Sequence, residues 1–357
     1  MTGAAPAVGG RPLPATMRTV ASRVEARVLA LLDAETERWG RLDPSLVEPL
    51  DAVRALVLAG GKRLRPVFCH WGFVAGGGDV DDVRWVDAGA AFEMLQAFAL
   101  IHDDVMDGSA TRRGAPAVHR RFDRRHHAAG WSGESRRFGE GVAILAGDLA
   151  LVYSDLLLPG APPELWTLWH ELRIELNIGQ YLDLAGTATG GIGRQGARRI
   201  ARMKSGRYTI ERPLQVGALL AGAATLADRL GAYGDPLGEA FQLRDDVLGV
   251  YGDAERTGKP VGDDLREGKP TLLLAVAAER ADAEGRALLA RVGGELDDAL
   301  VGELQELLRT TGALDEVEAE ITALHARAVG ALDQLDLTAE ATAALRELAD
   351  FVVARDA

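Results

Sequence analysis

Two short acidic runs contain the residues best suited to chemistry. The first, Ile101-His102-Asp103-Asp104-Val105-Met106-Asp107, closes the apolar stretch 92–101. On a helix Asp103 and Asp107 lie one turn apart and project from the same face, so two carboxylates converge. Like charges at that spacing repel, and hard oxygen donors with no nearby cysteine suit Mg²⁺ that also holds a phosphate. Alone, Asp-Asp-x-x-Asp is a weak signal, because acidic chains place it at solvated helix ends. A second run, Phe241-Gln242-Leu243-Arg244-Asp245-Asp246, ends another apolar helix, and a glycine-bounded loop, 252–268, follows at once. Two such clusters on separate helices, facing each other across a cavity, would hold several Mg²⁺ ions.

The lysines are an independent signal. Only four occur, Lys62, Lys204, Lys259 and Lys269, against 36 arginines. Each lies beside glycine or serine, in Gly60-Gly61-Lys62-Arg63-Leu64-Arg65-Pro66, Met203-Lys204-Ser205-Gly206, Gly258-Lys259-Pro260 and Gly268-Lys269-Pro270, contexts that read as loops or helix ends. Compact ammonium groups on flexible backbone suit phosphate oxygens, as does the planar fork of arginine. Carboxylates, Mg²⁺ and separate basic groups together describe an enzyme that binds two diphosphates and makes one leave. The glycine-rich stretch 187–197 follows no strand and matches neither a P-loop nor a dinucleotide fingerprint.

Helices must position these groups. Val301, Leu304, Leu307, Leu308, Leu314, Val317, Ile321 and Leu324 recur at three- and four-residue steps with Glu and Arg between them. Strand-like alternation is almost absent, and breaks fall at glycine and proline clusters. The spacing predicts an all-helical protein. No linker separates two self-sufficient patterns, so the expectation is a loose tail over 1–18 and a single domain over 19–357. The 357 residues are 47% hydrophobic, enough for a large core, and a formal charge of −13 argues against a broad nucleic-acid grip. Arg112 to Arg137 is locally basic and reads as an exposed helix and loop. The longest apolar run, near 213–227, is too short for a bilayer and reads as a buried helix. A single cysteine, Cys69, makes a reducing cytoplasm the simplest setting.

In order, GGKRLRP, EMLQAFALIHDDVMDGSATRRG, GQYLDL, KSG, FQLRDD and GKPVGDD resemble the trans-isoprenyl diphosphate synthases, or polyprenyl synthetases, over about residues 56–269. That resemblance implies the isoprenoid synthase fold, a single helical bundle around a central cavity, and a homodimer. It implies that Asp103, Asp107 and Asp245 bind Mg²⁺, three ions per active site. By the same resemblance Arg112, Lys204, Lys259 and Lys269 hold an allylic diphosphate (dimethylallyl, geranyl or farnesyl), with help from Ser205 and Gln242. Lys62, Arg65, Gln96 and Arg113 hold isopentenyl diphosphate.

Phe98 lies five residues before Asp103, about 7.5 Å along a helix axis, where its ring would block a growing prenyl tail; Ala99 beside it is small. An aromatic beside a small residue resembles the C20 synthases, so geranylgeranyl diphosphate is the expected product, with farnesyl and C25 diphosphates as alternatives. The second motif departs from the family pattern: Gly249 stands where a third aspartate is usual, and Asp253 is a nearby carboxylate that could compensate. A class I terpene cyclase is the nearest other enzyme, but the Gly60–Pro66 segment has no use there. A noncatalytic partner subunit is opposed by intact Asp103, Asp107, Lys62 and Arg65, and a purely structural helical protein by the placement of the four lysines.

Overall fold

The computed structural model describes residues 15–252 and 261–354. Helix dominates, and two compact units emerge: Ala15–His70 with Asp79–Ala161, and Trp71–Gly78 with the described part of Pro162–Ala357. No helix among the described residues is long and apolar enough to cross a membrane.

The first unit contains α1 (Ala15–Gly40), a 3₁₀ turn (Pro44–Val47), α2 (Glu48–Leu58), the start of α3 (Leu64–Ala75), α4 (Arg84–Met106), a hairpin of β1 (Thr111–Arg112) and β2 (Ala115–Pro116), α5 (Val118–Ala129) and α6 (Ser135–Leu156). Helix α1 begins at Ala15, ahead of the expected tail boundary at 18, because Met17 already belongs to its buried stripe with Val20, Val24, Val28 and Leu32. Helix α4 packs against α1 and α6 and is buried over most of its length. Small residues let it sit so deep; a Cβ at Gly89 would press to 2.8 Å of Val24 and 3.3 Å of Pro66. Gln96, Ala99, Leu100, Asp103 and Asp107 keep partial exposure, and their steps of three and four place them along one side.

The second unit contains α7 (Pro163–Thr189), α8 (Arg194–Ile200), a π-helical stretch (Ala201–Glu211), α9 (Arg212–Leu220), α10 (Ala224–Tyr251), α11 (Asp263–Glu267), α12 (Leu272–Arg280), α13 (Ala283–Leu289), α14 (Asp298–Thr310), α15 (Ala313–Leu332) and α16 (Ala339–Val353). The expected periodic residues Val301, Leu304, Leu308, Val317, Ile321 and Leu324 form one core with Leu243, Val247 and Val250 of α10. Thr271, Asp282, Asp297 and Thr338 cap α12, α13, α14 and α16, each side chain accepting from a backbone N–H three residues on. The run near 213–227 is a buried helix, α9, only as far as Leu220. Its sequel turns at Gly222, where φ is +81°.

One expectation is corrected here. Lys204 sits neither in a loop nor at a helix end, since residues 194–220 are helical without a break. Ser205 and Gly206 do not interrupt the helix because Gly206 lies against the backbone of Gly238 in α10; a Cβ there would stand 2.7 Å from the Gly238 carbonyl.

Candidate active site

In the first unit the loop 59–63 and the β1–β2 hairpin bring the expected cations together. The hairpin turns through Arg113 (φ +52°) and Gly114 (φ +76°), with Arg112 paired to Ala115 across it. Positive φ at both central residues is the type I′ geometry. An arginine in that conformation is strained, and its side chain is tied down in compensation. Arg113 Nη1 donates to Leu56 O at 2.9 Å, and a Cβ at Gly61 would lie 3.1 Å from Arg113 Nη2. Arg63 is likewise left-handed, at φ +51°. It is buried, donating to Glu93, to Val57 O at 2.6 Å and to Glu25 at 3.2 Å. Lys62 and Arg65, on either side of Arg63, are half-buried, and Arg65 lies in the first turn of α3. Burial lowers the Arg113 pKa to about 10; Glu93 opposes the shift, and Arg63, Arg112 and Arg65 add to it. Crowded, partly desolvated cations at a helix N-terminus favour an anion.

Helix α4 presents the first acidic run beside this cluster. Asp103 and Asp107 are half-buried, whereas Asp104, about 100° around the helix, is only 1% exposed. Arg112 donates to Asp104 Oδ1 from Nε and Nη2, at 2.8 and 2.5 Å, and approaches Asp103 Oδ2 at 3.4 Å. Sequence reasoning assigned no role to Asp104 or Glu93. The signal for Asp104 was its angular offset from Asp103, which turns it inward. Phe98 is buried, edge-on to His102 with ring centroids 4.7 Å apart. His102 Nε2 lies 3.0 Å from Ile144 O, and Gly147 leaves room for its ring. Ala99 is half-buried on the Asp103 side of the helix.

In the second unit Lys204 Nζ donates to Asp183 Oδ2 at 2.5 Å. The GQYLDL motif explains this pairing: Gly179 and Asp183 are one turn apart on α7. A Cβ at Gly179 would stand 2.5 Å from the Lys204 backbone nitrogen, so the glycine admits the lysine's backbone and the aspartate takes its ammonium. Lys204 lies in the π-helical stretch, a rare geometry that recurs at functional sites; Ser205 beside it is half-buried.

On α10 Asp245 is exposed and Asp246 buried, with Gln242 Nε2 donating to Asp246 Oδ1 at 2.7 Å. Burial, then the charge of Asp264, pushes the Asp246 carboxyl up to about 8, despite the hydrogen bond from Gln242. Lys269 Nζ reaches Glu267 at 2.7 Å and Asp264 at 3.5 Å. Lys259 and Asp253 lie outside the described residues. Among the described residues no three His, Cys, Asp or Glu side chains form a metal-holding group by themselves. A donor set of separated aspartates fits Mg²⁺, which keeps several waters and shares its shell with substrate phosphates.

A helical fold with aspartates on two buried helices and clustered cations defines a diphosphate-handling enzyme of the all-α isoprenoid synthase fold. The polyprenyl synthetase family model matches residues 48–310. The geranylfarnesyl diphosphate synthase of Aeropyrum pernix is 32% identical over 84% of this chain and 92% of its own. The nonaprenyl diphosphate synthase of Mycobacterium tuberculosis is 30% identical over 92% of each. A crystal structure of geranylgeranyl pyrophosphate synthase from Corynebacterium glutamicum, complexed with isoprenyl diphosphate and magnesium, is 39% identical. It superposes with a TM-score of 0.90 over 95% of this chain and 99% of that one. The chain belongs to the polyprenyl synthetase family and is a prenyltransferase of the trans-isoprenyl diphosphate synthase class.

Proposed function

We propose that the enzyme condenses isopentenyl diphosphate with an allylic diphosphate (dimethylallyl, geranyl or farnesyl) and releases geranylgeranyl diphosphate. The observation that carries the substrate assignment is the cation cluster around Arg113, where two arginines are held at positive φ. Lys62, Arg65, Gln96 and Arg113 hold isopentenyl diphosphate. Arg112, Lys204, Lys259 and Lys269 hold the allylic diphosphate, with Ser205 and Gln242 assisting. Asp103, Asp107 and Asp245 hold three Mg²⁺ ions, which when bound supply positive charge to the leaving pyrophosphate.

The allylic carbon–oxygen bond breaks, the isopentenyl double bond forms the new carbon–carbon bond, and the released proton passes to pyrophosphate. Arg112 and the lysines stabilise the charge that develops on the leaving group. Phe98 and Ala99 set product length. The C20 reading rests on this pair, a buried aromatic beside a half-buried alanine.

A homodimer in the cytoplasm fits the surface. Leu145, Val152 and Leu156 stand exposed along one side of α6, and Ile174, Ile178 and Tyr181 along one side of α7. The lone Cys69 is a buried free thiol. The deciding experiment supplies purified protein with isopentenyl diphosphate, each allylic starter and Mg²⁺, and reads product mass. A linear C20 diphosphate is expected; C15 or C25 as the main product overturns the length assignment, and no elongation at all overturns the reaction.

A further inference from the structure

A cavity in the first unit backs onto the active-site arginines without belonging to the acidic runs. Ala52, Ala55 and Ala59 of α2 recur at steps of three and four, one face of a helix. They share the lining with Ala115 and Ala117, from β2 and the residue before α5. Methyl side chains on both elements leave a cavity of about 260 Å³, room for roughly nine groups the size of a water molecule at about 30 Å³ each. The Arg112–Asp104 pair forms part of its wall, and the same guanidinium reaches Asp103. Leu56, whose carbonyl anchors Arg113, lines it too. The remaining charged groups on it are Arg121 and Arg124 of α5, both exposed. Among the described residues neither is ion-paired, although Arg125 beside them is bound to Glu48 and Arg112 to Asp104. Two guanidinium groups without a carboxylate, beside an apolar cavity on a chain of net charge −13, suit an anion with an apolar tail.

We propose that this cavity is a ligand site, separate from the catalytic centre, for a lipid phosphate: an alkyl or prenyl chain seated among the alanines, its phosphate held by Arg121 and Arg124. Guanidinium forks bind phosphate oxygens bidentately, and a dianionic head matches two cations. A flexible apolar chain matches a lining of methyl groups. The occupant touches what holds the active-site arginines in place, Asp104 for Arg112 and Leu56 for Arg113. A chain pressed against these anchors shifts the guanidinium groups that hold substrate, and so slows turnover. That coupling rests on the prenyl-transfer reading above; the binding site does not.

The test titrates decyl phosphate and geranyl phosphate, below their micelle concentrations, into the full chain by calorimetry, with decanol as the uncharged comparison. The variants are Arg121→Gln combined with Arg124→Gln, and Ala55→Phe, which fills the cavity from an exposed position of α2. Both phosphates should bind wild type, and decanol at least tenfold more weakly. The arginine variant should lose at least tenfold in affinity, and Ala55→Phe more; where Ala55→Phe folds poorly, the arginine variant decides. The phosphate that binds tighter identifies the source, alkyl lipid or prenyl. No binding by either phosphate, or unchanged affinity in the arginine variant, overturns the site, as does decanol binding equally well. In steady-state assays saturating decyl phosphate should lower kcat at least threefold in wild type but not in Ala55→Phe. A kcat that does not fall overturns the coupling, and a competitive rise in KM instead places the probe in the catalytic cavity. If wild type elongates no substrate, the prenyl-transfer reading fails while the titration still decides the site.

Discussion

Both hydrogen bonds from Arg112 to Asp104 end on one oxygen, Oδ1, with Nε and Nη2 of the guanidinium converging on it. Asp104 is 1% exposed, so a buried carboxylate fixes the head of an arginine that reaches Asp103 as well. Asp104→Asn keeps the shape and removes the charge. Turnover should fall at least tenfold, with the larger effect on the KM of the allylic diphosphate. Asp104→Ala leaves Arg112 without its anchor and should also lose about 3 kcal/mol of stability, read by urea unfolding. Wild-type kinetics in Asp104→Asn would show that Arg112 needs no such anchor.

Asp103→Ala and Asp245→Ala should each lower turnover by two or more orders of magnitude, while circular dichroism and unfolding midpoints stay close to wild type. Both side chains have solvent access, so their loss opens no sealed cavity. Near-normal rates in either variant would remove that residue from the machinery.

Gly179→Ala tests the seat of Lys204. The added methyl meets backbone rather than a movable side-chain tip, so the helices must separate, at about 1–3 kcal/mol. A lower melting temperature should accompany a severalfold rise in the KM of the allylic substrate. A stability loss with unchanged KM would mean that Lys204 tolerates displacement.

Phe98→Ala should shift products beyond C20, and Phe98→Leu should do so less. The ring is buried against His102, so the alanine variant should also be the less stable of the two. Identical product distributions in both would separate Phe98 from length control.

His70 makes stability depend on pH. It is buried, edge-on to Trp85 at 4.4 Å, and burial, with Arg23 nearby, lowers its pKa from 6.5 to about 4. The unfolded chain therefore takes up this proton first as pH falls. The contribution is present above pH 6.5 and is lost progressively towards pH 4, about 3 kcal/mol in all. Urea unfolding of wild type and His70→Gln at pH 7.5 and 5 should show a steeper loss for wild type; equal losses would exclude the histidine.

Helical class was legible because periodic apolar residues such as Val301, Leu304 and Leu308 did become core. The grouping of Lys62 and Arg65 with Arg113 was legible through motif order, although the physical link is a Leu56 carbonyl and an unoccupied Cβ position at Gly61. Lys204 misled because Ser and Gly read as breakers locally, while the facing Gly238 turns that weakness into close helix contact. The packing of the Asp264 carboxylate against Gly249 was hidden for a related reason, since the two positions lie fifteen residues apart and no one-dimensional spacing reveals their contact. Arg63 was invisible as a strut, since only its burial against Glu93 distinguishes it from the solvated arginines around it.

The left-handed arginines have an evolutionary consequence. Glycine or asparagine would relax the chain at 63 and 113, so random mutagenesis screened only for heat tolerance should gather replacements at the Arg113 turn. Those survivors would be sturdier proteins with a blunted appetite for isopentenyl diphosphate. An arginine at that turn thus holds a cation where glycine or asparagine would give a more relaxed backbone.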